Sequence, residues 1–454
     1  MTDSRALRIL SARIDYAPVR FRLPFRFGDT RVTGTDQAFA TVEIEANGTR
    51  ATGRSAQLLV PRWFDKRPER TNDQTVADLR ATCDAALAAA GVWQRPALLA
   101  RAMTALRADA TARLAPDTPR LAAGFGPSLL EVALIDALCG AHGLPFAAAA
   151  RADLFGLAED APPDLSTGAV QTALGALGPH DRIAIRHTVG YDAPLSRADL
   201  TEDHPRDGAP VCLQDVIAET GIRAFKLKLK GDPDADIARL RAITGLIGPL
   251  PGLRVTLDAN EQYGAPAFAA FLDALDADAG LAPLRAGLVA IEQPFAREAA
   301  LAAPLAPRLV GLPLMIDESD DHEGAFATAI GQGWSGTSIK TCKGVLRALL
   351  NHARVMQGRS IGQPLFLSAE DLTCQLGLAW QQDTWIAATL GCPDIERNGH
   401  FHGGGMQGYA PKSQAALVAA HPDLYRTDAA GRVHLAIRDG EVALGSLAGV
   451  GLAP

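Results

Sequence analysis

The sequence lacks the features that mark membrane, secreted or nucleic-acid-binding proteins. It has no run approaching the roughly eighteen apolar residues of a membrane span. Its first ten residues, MTDSRALRIL, are polar and lack the apolar region of a signal peptide. The formal net charge of −7 leaves no basic excess, so we expect neither nucleic acid nor an anionic membrane surface as a partner.

Cysteine is also scarce, and its spacing forms no recognisable framework. The six cysteines are scattered along the chain without a CxxC pair. Structural disulfides are therefore not expected, and a reducing compartment is favoured. We predict a cytoplasmic protein.

What the sequence does contain is typical of a soluble globular chain with one large and one smaller domain. It has 454 residues, of which 48% are hydrophobic and 21% charged. The first 60 or so residues alternate apolar and polar, with a turn signal at Asn47-Gly48, and predict an antiparallel meander. Residues 75–115 have a helical pattern, which completes a compact α+β domain. Residues 128–150 predict one long buried helix.

The middle of the chain repeats a strand-plus-helix unit. Five short apolar runs between residues 224 and 340 each end in a charge, at Lys228, Asp258, Glu292, Asp317 and Lys340. The intervals between these ends are 30, 34, 25 and 23 residues, which bracket the length of one β/α unit. Strands ending near residues 187, 368 and 397 supply the remaining units. Eight such units close a parallel barrel, so we predict an α/β fold, a modified TIM barrel of (β/α)7–8 type.

The charged strand ends predict a metal site. Catalytic groups of such barrels lie at the carboxyl ends of the strands, and neighbouring strands are only about 4.8 Å apart. Asp258, Glu292 and Asp317 can therefore meet around one ion. Three carboxylates without a Cys or His cluster favour a hard cation, Mg²⁺ with Mn²⁺ as the alternative. Such an ion offsets the negative charge that forms when a proton α to a carboxylate leaves.

The lysines predict proton transfer. Lys226 and Lys228 lie on one face of their strand, so Lys226 can lower the pKa of Lys228. Lys340 comes from the far side of the barrel, and a base on each face of a substrate would invert a stereocentre. The pair also suits a reaction in which one lysine acts while the other stabilises charge. Glu318 could pair with Lys340, and Lys343 is predicted to be exposed to solvent.

Together these motifs resemble the enolase superfamily, within it the muconate-lactonizing-enzyme subgroup that is catalogued with mandelate racemase. The matching elements are Lys226-Leu-Lys228, Asp258-Ala-Asn260, Glu292-Gln-Pro, Asp317-Glu318-Ser and Lys340. The resemblance implies that the three acids bind the metal and that Lys228 and Lys340 are the acid/base residues. It also implies that Lys226 supports Lys228.

The resemblance further implies three parts: an N-terminal capping domain at 1–118, the catalytic barrel at 119–405, and a segment at 406–454 that packs back on the cap. Two cap loops, 25–30 and 61–66, would then shape specificity. The strand ending at His187 and the polar segment 396–402, with His400 and His402, depart from the members that the sequence resembles. The candidates for contact with substrate or supporting groups are Asn260, Glu318, His187, Arg26, Trp63 and Glu396. We also expect a homo-oligomer.

The predicted activity is Mg²⁺-dependent removal of a proton α to the carboxylate of a small molecule, by a racemase, epimerase or cycloisomerase. A sugar-acid dehydratase is the alternative within the superfamily. Such enzymes mostly use a histidine base on the seventh strand, and residues 364–368 contain none. A non-catalytic metal-binding protein is the alternative outside it, and two lysines suited to proton transfer argue against that interpretation.

Overall fold

The N-terminal part of the chain is an antiparallel sheet. The computed structural model describes residues 3–27, 30–91, 95–429 and 431–453. Strands β1 (Leu7–Phe27), β2 (Thr30–Ala46) and β3 (Thr49–Leu58) pair in that order. The predicted turn is confirmed: Asn47 and Gly48 have φ angles of 50° and 70°, the left-handed values that a two-residue hairpin needs. In the first predicted cap loop, Gly28 and Asp29 lie outside the described residues.

Helices cover one face of this sheet. They are α1 (Asn72–Gly91), α2 (Leu99–Ala112), α3 (Arg120–Ala123), α4 (Phe125–His142) and α5 (Phe146–Arg151). The β3 strand lies directly on α4 because Gly53 has no side chain. A Cβ atom there would be 2.1 Å from the Ala133 carbonyl oxygen. Ser55 Oγ donates to the Leu129 carbonyl at 2.6 Å across the same contact.

The prediction of one helix over residues 128–150 is wrong at its centre. Helix α4 ends at His142 because Gly143 adopts φ 64° and Pro145 precedes the next helix. By length and composition, Arg120–His142 would qualify as a membrane span. However, 89% of its apolar window is buried, as in the core helix of a soluble protein.

The rest of the chain builds the predicted barrel. Its eight parallel strands are β4 (Arg182–Val189), β5 (Ala224–Lys228), β6 (Arg254–Asp258), β7 (Leu288–Glu292), β8 (Leu314–Ile316), β9 (Gly336–Ile339), β10 (Phe366–Ala369) and β11 (Asp394–Glu396). Each pairs with the next, and β11 pairs with β4 to close the barrel. The prediction of a TIM-type barrel with an N-terminal α+β domain is therefore confirmed.

Helices alternate with the strands and continue beyond them. They are α6 (Thr167–Gly175), α7 (Leu213–Thr220), α8 (Pro233–Ile247), α9 (Ala265–Ala277), α10 (Ala282–Gly287), α11 (Arg297–Ala300), α12 (Ala325–Gly331), α13 (Val345–Ser360), α14 (Leu378–Thr389), α15 (Gly399–His402) and α16 (Pro411–Ala420). The local sequence explains their ends. In α8, the Asp232 carboxylate accepts from the Ala235 amide at 3.1 Å, and Pro233 occupies the first turn.

The C-terminal segment contacts both parts of the molecule. It contains β12 (Tyr425–Thr427), β13 (Val433–Leu435) and β14 (Glu441–Ala443), and β14 pairs antiparallel with β4. Near the end of the chain, the Leu452 amide donates to Asp136 of α4 at 2.8 Å. One apolar cluster extends from Leu7 to Ala453 through sheet, helices and barrel. The domain boundaries at 118/119 and 405/406 stay predictions.

Candidate active site

The charged strand ends lie together at the carboxyl end of the barrel. Register pairs Lys228 with Asp258, and Asp258 with Glu292, on consecutive strands. The side chains of all five predicted strand-end charges are no more than 5% exposed, the largest value being that of Lys228. Placing so many charges out of water requires that they neutralise one another.

Lys226 lies at the centre of this arrangement. Its Nζ is 2.9 Å from Asp258 Oδ2, 2.8 Å from Glu292 Oε2, 2.8 Å from Glu370 Oε2 and 3.0 Å from Glu396 Oε2. Burial opposes a charge on this amine, but the surrounding carboxylates outweigh it and raise its pKa well above the ordinary value. Lys226 is therefore an ammonium ion shared by four acids.

The two predicted acid/base lysines are held by different acids. Lys228 Nζ donates to Asp258 Oδ2 and to Asn260 Oδ1, both at 2.6 Å. Lys340 Nζ donates to Asp317 Oδ2 at 2.8 Å and lies 4.2 Å from the centre of the Trp63 ring. Burial disfavours the charge on Lys340, but the Asp317 carboxylate outweighs burial and raises its pKa. The face of an aromatic ring stabilises the same charged form.

Asp317 has hydrogen-bonding and ionic partners that the sequence did not predict. Its Oδ1 accepts a short hydrogen bond from Ser338 Oγ. Burial favours the neutral acid, yet the ammonium groups of Lys340 and Lys343 lower the pKa of Asp317 well below its usual range. The prediction that Lys343 is exposed is wrong, since a short 3₁₀ turn at 341–343 buries its amine, which donates to Ser338 Oγ at 2.7 Å and Asp320 Oδ2 at 3.0 Å.

The predicted pairing of Glu318 with Lys340 is also wrong. Glu318 Oε1 lies 3.4 Å from Lys66 Nζ and accepts from Asn260 Nδ2 at 3.3 Å. Lys66 belongs to the second predicted cap loop and contacts the barrel here. Lys340 therefore pairs with Asp317, whereas Glu318 contacts Lys66 at the junction between cap and barrel.

The three predicted metal ligands are carboxylates of the kind that binds a metal ion. In this structure, lysine ammonium groups contact them. Within the described residues, no three His, Cys, Asp or Glu side chains are arranged as a metal-binding group. The reason is that Lys226 lies between Asp258 and Glu292, while Lys340 pairs with Asp317. Burial, Asp258 and Glu370 raise the pKa of Glu292 well above its usual value, although Lys226 Nζ contacts this carboxylate. Buried oxygen donors with surplus negative charge fit a hard divalent cation.

Two residues of the charged cluster were not identified from the sequence. Glu370 follows β10 directly, the same signal that identified the other acids, but the pattern predicts a strand that ends two residues earlier. Arg186 lies inside the first barrel strand. Its Nη2 donates to Glu370 Oε1 at 2.6 Å and its Nη1 to Asp394 Oδ1 at 2.7 Å. The available signal for it was an arginine directly after the apolar run Ile183-Ala184-Ile185.

The remaining candidates divide into two groups. Asn260, Trp63 and Glu396 lie in the charged centre, where Glu396 Oε1 accepts from Asn398 Nδ2 at 2.8 Å. Arg26 forms a largely exposed ion pair with Asp192 instead.

Of the three histidines, His187 is buried, and His400 and His402 are half-buried. The pKa is lowered mainly by burial, to about 3 for His187 and His400 and to about 4 for His402. His187 packs edge-on against the Phe401 ring at 4.9 Å. These imidazoles are therefore neutral at physiological pH.

Comparison with known proteins gives a consistent result. A sequence profile described as enolase C-terminal domain-like matches residues 211–358. These residues are similar to the C-terminal domain of enolases. No curated protein matches the chain in sequence. The predicted resemblance is thus confirmed over the part of the chain that contains the lysines and the three acids.

Solved structures share the fold over almost the whole chain. A dipeptide epimerase from Enterococcus faecalis V583, complexed with Mg and the dipeptide L-Leu-L-Tyr, has a TM-score of 0.63 and 15% identity, covering 98% of this chain and 100% of that one. The L-Ala-D/L-Glu epimerase from Bacillus subtilis gives 0.58 and 16%, covering 98% of each chain. The 2-chloromuconate cycloisomerase from Rhodococcus opacus 1CP gives 0.59 and 17%, covering 100% and 96%. The roles of individual residues stay predictions.

Proposed function

We propose that this protein is a Mg²⁺-dependent enzyme that removes a proton α to the carboxylate of a small molecule, as a racemase, epimerase or cycloisomerase. The observation that carries the proposal is the placement of Lys228 and Lys340. Both amines are buried, and each is held by a different acid of the same cluster. Epimerases and a cycloisomerase among the structures of similar fold support the same reaction class.

Asp258, Glu292 and Asp317 would hold the divalent cation, whose chemistry is to offset the negative charge that develops as the α-proton leaves. For this, Lys226 must give up its contacts with Asp258 and Glu292. It retains Glu370 and Glu396, which accept from the same amine at 2.8 and 3.0 Å. Lys226 thus remains paired beside the site.

The surroundings of the two acid/base lysines differ, and this difference suggests a division of labour. The Trp63 ring and the Asp317 carboxylate both stabilise Lys340 as an ammonium, so Lys340 donates a proton or stabilises charge. Lys228 has no such ring and is positioned by Asp258 and the neutral amide of Asn260. Lys228 is therefore the proposed base, and Lys340 is the proposed proton donor.

We also propose that the enzyme is cytoplasmic and homo-oligomeric and that its partner is a small carboxylate rather than nucleic acid or a membrane. The net charge of −7 supports the choice of partner, and the absence of a CxxC pair supports the compartment. The burial of the apolar helical stretch Arg120–His142 is consistent with the cytoplasmic assignment.

The test is exchange of substrate α-protons with solvent. The protein is incubated in heavy water with MgCl₂ and a library of carboxylic acids, and deuterium at the α-carbon is measured. We expect exchange that EDTA abolishes and that Lys228→Met reduces by at least about 100-fold. Lys230→Met, at an exposed lysine two residues away, is the matched control and should exchange normally. Exchange in none of the acids, or full exchange in Lys228→Met, would refute the proposal.

A further inference from the structure

A cavity of about 360 Å³ lies where the cap meets the carboxyl end of β4. It is bounded by residues 22–26 of β1, by the end of β4 and by the long loop after that strand. Its volume is in the range of sites that bind small molecules. None of the predicted metal ligands or acid/base lysines lines it.

Four rings from distant parts of the chain form one wall of this cavity. Phe25 packs edge-on against His402 with ring centres 5.0 Å apart, His402 against Phe401 at 5.1 Å, and Phe401 against His187 at 4.9 Å. Edge-to-face packing of this kind is the arrangement that aromatic rings prefer. A flat ring of a ligand would extend the same pattern.

His187 is the residue of this wall whose ring has a nitrogen without a hydrogen-bond partner among the described residues. Its side chain lines the cavity, the residue is 4% exposed, and Nδ1 has no hydrogen-bond partner among the described residues. The neighbouring His402 differs, because its Nδ1 lies 3.1 Å from the Leu23 carbonyl oxygen. Buried polar atoms are nearly always hydrogen-bonded, so His187 Nδ1 has the capacity for one more partner.

The cavity adjoins the charged centre through the next residue of β4. Thr188 lines the cavity, and its hydroxyl donates to Glu396 Oε1. The other oxygen of Glu396 contacts Lys226 Nζ at 3.0 Å. A molecule that is bound at the lysines therefore has this cavity within reach of its far end.

The charges around the cavity favour a neutral occupant. Two of its arginines are already paired, Arg22 with Asp207 and Arg26 with Asp192, and the other two charged residues of the lining, Arg31 and Asp203, are exposed and opposite in sign. Much of the remaining lining is apolar, including Leu23, Pro24, Val189, Ala193, Pro194, Val211 and Leu213. A polyhydroxylated chain would leave many of its hydroxyl groups without partners there.

We propose that this cavity binds the far end of the substrate, which is a flat, uncharged ring bearing one hydrogen-bonding atom that pairs with His187. The proposal rests on the proposed function, because it assigns the other end of the same molecule to the lysines. His187 is then a residue that determines specificity and positions the substrate, without contact with the reacting atoms.

The test compares sets of carboxylic acids of equal length in the exchange assay. One member ends in a ring with a hydrogen-bonding atom (pyridyl or hydroxyphenyl), the second in phenyl and the third in a short polyol. In the wild-type protein we expect kcat/KM to fall in that order, with about tenfold between the first two from the lost hydrogen bond, expressed mainly in KM. His187→Phe should remove the difference between the first two acids. His322→Phe, at an exposed histidine remote from this cavity, should keep the difference.

The outcomes separate this inference from the proposed function. Exchange in no acid refutes the proposed function itself. Exchange that is equal for ring-bearing and polyol acids, or a pyridyl preference that survives His187→Phe, refutes the cavity assignment alone. If His187→Phe does not fold, the ¹⁵N chemical shift of His187 in the wild-type protein decides instead. It should change when the pyridyl acid is added and stay unchanged with the polyol acid, and a shift that is unchanged with both would overturn the inference.

Discussion

The position of Lys226 determines how the charged centre is balanced in the absence of a bound metal. One ammonium contacts four carboxylates, and the side chains of all five residues are at most 2% exposed. Breaking a buried ion pair by removing one partner typically costs about 3–5 kcal/mol, because the other charge is left unpaired. The stability of the unliganded protein should therefore depend on this one side chain.

We predict that Lys226→Met lowers the free energy of unfolding by about 3–5 kcal/mol in metal-free buffer. Added Mg²⁺ should raise the melting temperature of this variant more than that of the wild type, because the cation replaces the missing positive charge. Scanning calorimetry with and without MgCl₂ measures both effects, and Lys230→Met is the matched control. A Lys226→Met melting temperature equal to that of Lys230→Met would contradict the prediction.

At the residue scale, strand position was enough to predict where the charges meet. The charged ends of five strands converge because parallel barrel strands end at one rim. Glu370 obeys the same rule and was missed only because β10 extends to Ala369. The burial of Lys343 and the pairing of Glu318 with Lys66 could not be predicted, since they depend on a 3₁₀ turn and on a cap loop distant in sequence.

At the scale of elements, two glycines lie where β3 meets α4, and they differ in the space available for a side chain. At Gly53, a Cβ atom would lie 2.1 Å from the Ala133 carbonyl oxygen and 2.3 Å from the Ala137 amide nitrogen. At Gly140 of α4, the nearest atom to an added Cβ would be the Cβ of Ala51, 4.0 Å away. Backbone atoms of a helix cannot move aside without separating it from the sheet.

We predict that Gly53→Ala destabilises the protein by about 1–3 kcal/mol or more through overpacking. Gly140→Ala should be neutral or stabilise it by up to about 1 kcal/mol, since alanine is the better helix former and the space is free. Urea unfolding followed by circular dichroism compares the two. Equal effects would show that the contact between β3 and α4 is not closely packed.

The secondary-structure elements were predicted correctly where the apolar residues of the sequence recur with a clear period. The meander, its Asn47-Gly48 turn and the β/α repeat arise from local pattern. The break between α4 and α5 was missed although Gly143, in the left-handed conformation, and Pro145 together interrupt the helix. The ring wall at His187 joins residues from β1, β4 and α15, so no local pattern indicated it.

At the scale of the molecule, the cap and the barrel are joined beside the reacting groups. Arg297 of α11 donates to Glu261 Oε2 at 2.8 Å and, with the same nitrogen, to the Trp63 carbonyl oxygen at 3.0 Å. Trp63 in turn covers Lys340. The apolar core is also continuous from the cap sheet into the barrel. The contact that holds the two parts together therefore also fixes the ring above the lysine.

We predict that Arg297→Met lowers stability by about 2–4 kcal/mol, because Glu261 and the cap carbonyls lose a charged donor. Unfolding should remain a single transition, since the apolar core is shared. α-Proton exchange should fall by about 10- to 100-fold through misplacement of Trp63 over Lys340. Arg308→Met, which removes a half-exposed pair with Asp273, is the matched control and should change neither property. Calorimetry and the exchange assay together check the prediction: separate transitions for cap and barrel would contradict the shared core, and undiminished exchange would show that the junction does not position the ring.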